Sequence, residues 1–323
     1  MSGEPEISVI VPVYNEEENV PLLLERLVPV LEKIGDYQIL FALDPCTDGT
    51  EAVLRRAIAA NPRIGYLRFS RRFGQPAATM AGILHCTGRY CAVIDADLQD
   101  PPEVIADLHA KAREGFDVVY ATRRSRQGES WMKRKLSAAG YRLIGRISEV
   151  NIPLDTGDFR IMSRRVVEEL RRLSESHGFL RGLVAFVGFP QAKIEYDRHE
   201  RARGSGKYNR YLGSLKIAFN GIFGFSTTPL SLLLWTGIAI CALSLLSIAA
   251  IVFTKFVIGQ EYALGIPTII VLISFIGGVQ MASIGILGQY IGRIYDEVRR
   301  RPQYIVDVAE NVPPRTPEAD RKP

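Results

Sequence analysis

Along the first two-thirds of the chain, short runs of β-branched and apolar residues alternate with segments of helical spacing. The run "ISVIVPV" (7–13) reads as a buried strand. Residues 17–34, "EENVPLLLERLVPVLEKI", place apolar side chains at helical intervals, and Gly35 supplies a stop. "YQILFAL" (37–43), "IGYLRF" (64–69), "YCAVIDA" (90–96) and "FDVVYAT" (116–122) read as further strands. "TDGTEAVLRRAIAA" (47–60) and "PAATMAGILHC" (76–86) read as helices between them. Such alternation predicts an α/β fold with parallel strands and crossover helices. Ligands of such sheets bind beyond the carboxyl ends of the strands. The predicted ends carry Tyr14-Asn15-Glu16, Asp44, Ser70-Arg71-Arg72, Asp95 with Asp97, and Arg123.

The last third has a different pattern. Neither 229–253 nor 262–292 contains a charged residue. Each is longer than the roughly 20 residues that cross a bilayer, so two transmembrane helices are predicted within 229–292, with a short loop near 255–262. Lys207, Arg210 and Lys216 precede them, and Arg293, Arg299, Arg300 and Arg301 follow. The positive-inside rule then sets both termini on the cytoplasmic side of the membrane. Segment 206–228 mixes aromatic, aliphatic and basic residues and is expected to lie along the membrane surface. The expected layout is a catalytic domain over 1–205, the surface segment over 206–228, the membrane pair over 229–292 and a basic tail over 293–323. After Pro302 that tail is rich in proline and charge, and disorder is expected.

Composition narrows the partners. A net charge of +5 suits an anionic ligand or an anionic surface. No nucleic-acid motif accompanies it, so nucleic acid is not an expected partner. The four cysteines form no CxxC pair, which argues against a disulfide framework or a zinc site. His85, His109, His177 and His199 are scattered, without metal-ligand spacing. "GSGK" (204–207) is no P-loop, because Arg201 stands where that motif needs glycine.

The stretch "VIDADLQDPPE" (93–103) carries the main chemistry. Asp95 and Asp97 are two apart, which in an extended strand puts them on one face. Adjacent carboxylates repel unless a hard cation joins them, and a nucleotide diphosphate needs the same cation. Asp100, followed by two prolines and Glu103, reads instead as a helix N-cap. Asn15 with Glu18 reads as a capping box for the first helix.

"VPVYNEEEN", "TDGT", "RRFGQPAATMAG", "DADLQDPPE", "TGDFRIMSR", "GKY" and "LGQYIGRIYDEVRRRPQY" together resemble one family. It is that of the inverting GT-A glycosyltransferases of the dolichol-phosphate mannose synthase type. The closer likeness is to bacterial polyisoprenyl-phosphate glycosyltransferases with two C-terminal membrane helices. The resemblance runs from Ile7 to about Tyr304 and implies a Rossmann-like GT-A domain. It implies a UDP-sugar donor, an undecaprenyl phosphate acceptor, Mg²⁺ or Mn²⁺, and a homo-oligomer, a tetramer being favoured. Pro12, Tyr14, Glu16, Asp44, Gln75, Asp95 and Arg201 would bind the sugar nucleotide. Asp95, Asp97 and Gln99 would serve the metal, with Asp97 also catalytic. Asp158, before "FR", would be the catalytic base, or would orient the acceptor or stabilise charge at the sugar. Arg123, Lys133 and Ser137 would hold the acceptor phosphate. "LDPC" (43–46) departs from the family's usual DDGS segment at Leu43, Pro45 and Cys46. Glucose is the default donor sugar; galactose, N-acetylhexosamine, 4-amino-4-deoxyarabinose and GDP-mannose stay open. The competing classes are a non-enzymatic membrane scaffold and a processive synthase, whose QxxRW motif does not occur here.

Overall fold

The computed structural model describes residues 4–124, 156–173, 180–197 and 265–312, with isolated positions and short runs between 230 and 259. The predicted surface segment 206–228 lies outside the described residues. The chain begins with β1 (Ile7–Val13), α1 (Asn19–Ile34), β2 (Tyr37–Leu43), α2 (Thr50–Ala60) and β3 (Ile64–Phe69). It continues with α3 (Gln75–His85), β4 (Tyr90–Val93), α4 (Val104–Arg113) and β5 (Val118–Arg123). Then follow β6 (Thr156–Ser163), α5 (Arg164–Arg172), α6 (Leu180–Val187), β7 (Gln191–Tyr196), α7 (Ile266–Arg299) and β8 (Val306–Glu310).

The eight strands form one sheet in the order β7-β5-β6-β4-β1-β2-β3-β8. β4, β1, β2 and β3 are mutually parallel, in register from Ile7↔Tyr37 and Ile7↔Tyr90. Every residue of β1 and β2 is buried, as expected for a parallel sheet covered on both faces. Alternation divides the core in two. Val9, Val11, Ile39 and Phe41 face the layer of α1, α2 and α4, where Leu23, Leu27 and Leu31 recur at helical spacing. Ile10, Leu40 and Ala42 face α3, α5 and α6. β1 leads to β2 on one side and β4 flanks it on the other, so the strand order reverses at β1. A crevice opens there beyond the carboxyl ends.

Three expectations about local structure are corrected. Helix α1 starts at Asn19 with Glu18 as N-cap and no side-chain cap, so Asn15 and Glu18 form no capping box. Strand β4 ends at Val93, and Leu98 has a φ of 59°, so residues 95–97 turn and do not continue an extended strand. The tail beyond Pro302 is not disordered throughout. β8 pairs antiparallel with β3, Ser70 N–H donates to Ile305 O at 3.0 Å, and Arg68 bonds Asp307 at 2.6 Å. In "VDVAE" half-buried Val306, Val308 and Glu310 alternate with exposed Asp307 and Ala309, which suits an edge strand, and the ordering comes from the exposed edge of β3.

Among the described residues, no helix is long and apolar enough to cross a membrane. Some side chains of α7 and most of the uncharged segment before it lie outside those residues. The described part of α7 exposes Ile269, Leu272, Ile273, Phe275, Met281 and Ile284.

Candidate active site

The crevice is built from loops that follow β1, β2, β3 and β4, and from the start of β6. The β1 and β2 loops are laced together. Asn15, at a φ of 56°, donates from Nδ2 to Thr47 Oγ1 at 2.9 Å and accepts from Thr47 N–H at 2.8 Å. Its own N–H donates to Cys46 Sγ at 3.2 Å, and that thiol in turn donates to Asp44 O at 3.2 Å. The Glu16 N–H donates to Thr50 Oγ1 at 2.9 Å, and Glu17 Oε2 accepts from Gly49 N–H at 2.9 Å. Cys46, where the sequence departs from the family pattern, is therefore part of this lacing. Burial pushes its thiol above the usual range.

Asp44 is buried at the end of β2, and both its oxygens are engaged. Oδ1 accepts from Phe73 N–H at 2.9 Å and Oδ2 from Gly74 N–H at 3.0 Å. The carboxylate thereby fixes the loop that leads into α3, where Gly74 adopts a φ of 91° that favours glycine. That loop carries Arg72 over the Tyr14 ring at 3.9 Å, joining the β1 and β3 ends. Gln75, the first residue of α3, donates from Nε2 to Asp95 Oδ1 at 2.7 Å.

In the turn after β4, Asp97 Oδ1 accepts from the Gln99 N–H at 3.2 Å. Asp95 and Asp97 offer hard carboxylate oxygens on one turn, the donor type that Mg²⁺ and Mn²⁺ take alongside phosphate oxygens. Among the described residues, no group of three His, Cys, Asp or Glu could hold a metal. A cation here would take further oxygen ligands from a nucleotide or from water.

Asp100 has another partner than the one expected. The helix N-cap is Glu103, which pairs with Arg26 at 2.7 Å, and α4 begins at Val104. Asp100 is buried and accepts from the Tyr196 hydroxyl at the end of β7. Burial, with the Asp100 charge, pushes the Tyr196 phenol far up, so it remains a donor. Asp100 thus anchors the turn to the far side of the sheet and does not cap a helix.

Strand β6 runs antiparallel to β4 with Val93 opposite Arg160. Asp158, two residues before Arg160 on β6, lies just beyond the end of that pairing. Arg160 is wholly buried, and its Nη2 lies 3.0 Å from Asp158 Oδ1. Arg181 of α6 places Nε 3.0 Å from the same oxygen. Burial alone would raise the Asp158 carboxyl, but Arg181 and then Arg160 outweigh it and hold the group below the usual range. Arg123 ends β5 beside Tyr196 in the register of β7. Its Nη2 comes within 3.8 Å of the position a Cβ on Gly157 would take.

The structure thus brings Tyr14, Glu16, Asp44, Gln75, Asp95, Asp97, Gln99, Asp158 and Arg123 to one end of the sheet. Pro12 lies inside β1 one residue before its end. Lys133, Ser137 and Arg201 lie outside the described residues. Arg160, Arg181 and Tyr196 were not singled out from the sequence, and Arg72 was named only within the strand-end cluster Ser70-Arg71-Arg72. Arg160 carried a signal, since it shares a strand face with Asp158. Arg181 carried none, because only the packing of α6 brings it there.

A mixed sheet whose parallel central strands carry a carboxylate-rich crevice at their switch point is the GT-A-like architecture of the nucleotide-sugar transferases, and the protein is a glycosyltransferase. Residues 8–171 match the model of glycosyl transferase family 2, and the chain belongs to that family. It is 42% identical over 307 residues to the uncharacterized glycosyltransferase sll0501 of Synechocystis sp., covering 93% of this chain and 94% of that one. It is 39% identical over 301 residues to the SfII prophage-derived bactoprenol glucosyl transferase of Shigella flexneri, covering 93% and 97%. Among solved structures, glucosyl-3-phosphoglycerate synthase from Mycobacterium tuberculosis, with Mn²⁺, UDP and phosphoglyceric acid, aligns with a TM-score of 0.44. That alignment has 22% identity and covers 68% of this chain and 76% of the synthase.

Proposed function

We propose that this protein is a membrane-anchored, inverting glycosyltransferase that moves a sugar, glucose being favoured, from a UDP-sugar to a polyprenyl phosphate such as undecaprenyl phosphate. The observation that carries this reading is the near end-to-end match to the bactoprenol glucosyl transferase, which spans the uncharged C-terminal segments as well as the crevice. The exposed apolar side chains of α7 support the anchor, since water would be a poor solvent for them. Arginines at 293 and 299–301 favour a cytoplasmic catalytic domain.

In this reading the Tyr14–Arg72 pair and the loop held by Asp44 form the nucleotide's seat. Gln75 fixes one oxygen of Asp95. A divalent cation held by Asp95 and Asp97, with Gln99 nearby, would offset the charge of the departing diphosphate. An acceptor phosphate oxygen forms the new bond to the anomeric carbon from the opposite face. The bond from that carbon to the UDP oxygen breaks, and its electron pair leaves with UDP. Arg123, Lys133 and Ser137 are assigned to the acceptor phosphate, and Arg201 to the donor.

The test is an assay of membranes holding the protein, supplied with undecaprenyl phosphate, Mn²⁺ and a panel of UDP-sugars, with the lipid read by mass spectrometry. A glucosylated lipid is expected. No sugar-lipid from any donor, GDP-sugars included, overturns the reading.

A further inference from the structure

Asp158 is gripped by two guanidinium groups that come from different elements. Arg160, on the same face of β6, and Arg181, on α6, both bond Oδ1 at 3.0 Å. Among the described residues, Oδ2 carries no hydrogen bond. Arg160 has no exposed surface, whereas the Asp158 side chain keeps 33% of its exposure and Arg181 26%. The grip is therefore buried on the Arg160 side and open on the Oδ2 side. Among the described residues, the other charged or titratable groups facing this grip are Tyr120 of β5, whose ring lies 5.4 Å from the Arg160 guanidinium, and Arg123 beside Gly157.

The chemistry asks for such an anion and not for a base. A phosphate monoester loses its second proton near pH 6, so the acceptor is largely dianionic at neutral pH. Its attacking oxygen brings its own electron pair, and no proton has to leave. Positive charge instead builds on the sugar ring and its anomeric carbon as the UDP bond breaks. A carboxylate already oriented and ionised stabilises that charge without reorganising.

Resting on the sugar-transfer reading above, we propose that Arg181 is a positioning residue: with Arg160 it pins Asp158 Oδ1 and leaves Oδ2 as a fixed anion presented to the reacting sugar, so that Asp158 takes no proton during turnover. The lowered Asp158 carboxyl agrees with this. A folded-state value below the ordinary one keeps the group ionised through neutral pH, and its charge is lost only as pH falls through the lowered value. Removing Arg181 removes the largest opposing influence, so burial then drives the carboxyl upward.

The experiment compares wild type, Arg181→Gln, Arg181→Lys and Asp158→Asn as full-length proteins in membranes. It measures kcat and KM for the UDP-sugar from about pH 5 to 9, with UDP affinity and melting temperature as controls for folding. For Arg181→Gln, kcat is expected to fall about 10- to 100-fold with KM nearly unchanged. Its acid limb should move to higher pH, and Arg181→Lys should recover part of both effects. Wild-type kcat and an unmoved acid limb in Arg181→Gln overturn the proposal. So does a loss that merely tracks falling UDP affinity or melting temperature. An inactive Asp158→Asn beside a normal Arg181→Gln defeats only this inference. A fully active Asp158→Asn removes Asp158 from the proposed reaction, and an inactive wild type defeats the sugar-transfer reading itself.

Discussion

At the scale of single residues, the stretch from Asp95 to Glu103 separates into three jobs. Asp95 and Asp97 belong to the crevice, Asp100 to the interior and Glu103 to the surface. Tyr196→Phe removes the hydroxyl that Asp100 accepts from and leaves a buried carboxylate short of a donor. It should destabilise the protein by about 1–3 kcal/mol in denaturant titrations. Glu103→Ala breaks a half-exposed pair with Arg26, and the loss of that pair should cost under about 1 kcal/mol in the same measurement. Asp44→Ala orphans two half-buried N–H groups at the loop before α3. About 2 kcal/mol of stability should go with it, and KM for the UDP-sugar should rise more than kcat falls. The residue types of this site were legible because strand ends in an α/β pattern are where ligands sit. The assignment of Asp100 as a helix cap failed because a buried cross-sheet partner, invisible to local spacing, determines its role.

At the scale of elements, the strands β1 to β5 and the helices between them follow the hydrophobic pattern closely. Their periodicities differ, and each buries one face against a neighbour. The misjudged elements lie where tertiary contacts override composition. "VDVAE" (306–310) reads as part of a charged, proline-rich tail, yet it finds unpaired backbone groups on the edge of β3. The fit is close: a Cβ on Gly65 would lie 2.7 Å from Asn311 O. Gly65→Ala should therefore push β8 off the sheet. The expected signs are protease cleavage near residues 303–312 and a loss of about 1–3 kcal/mol. Wild-type protease resistance in that variant would show that the edge adapts.

At the scale of the whole molecule, α7 leads directly into β8, so the sheet is joined to the apolar helix by the few residues from Arg300 to Ile305. If α7 lies in a bilayer, the protein should stay with membranes through alkaline carbonate washing; release into the wash would remove the anchor from the proposal. Among the described residues, the proposed metal site draws on two carboxylates, Asp95 and Asp97, so Mn²⁺ should bind weakly alone and tightly with UDP, as followed by electron paramagnetic resonance. Tight binding without nucleotide would point to ligands outside the described residues. The sequence by itself determined the α/β class, the order of its strands and helices, the chemistry of the crevice and the uncharged C-terminal segments. Each of these follows from periodicity, composition or spacing along the chain. Only the tertiary structure decided that Asp100 faces Tyr196, that the tail adds an eighth strand, and that Arg181 joins Arg160 on Asp158. Those contacts join residues 23 to 244 positions apart, and only packing, with the desolvation that accompanies it, determines which distant groups become partners.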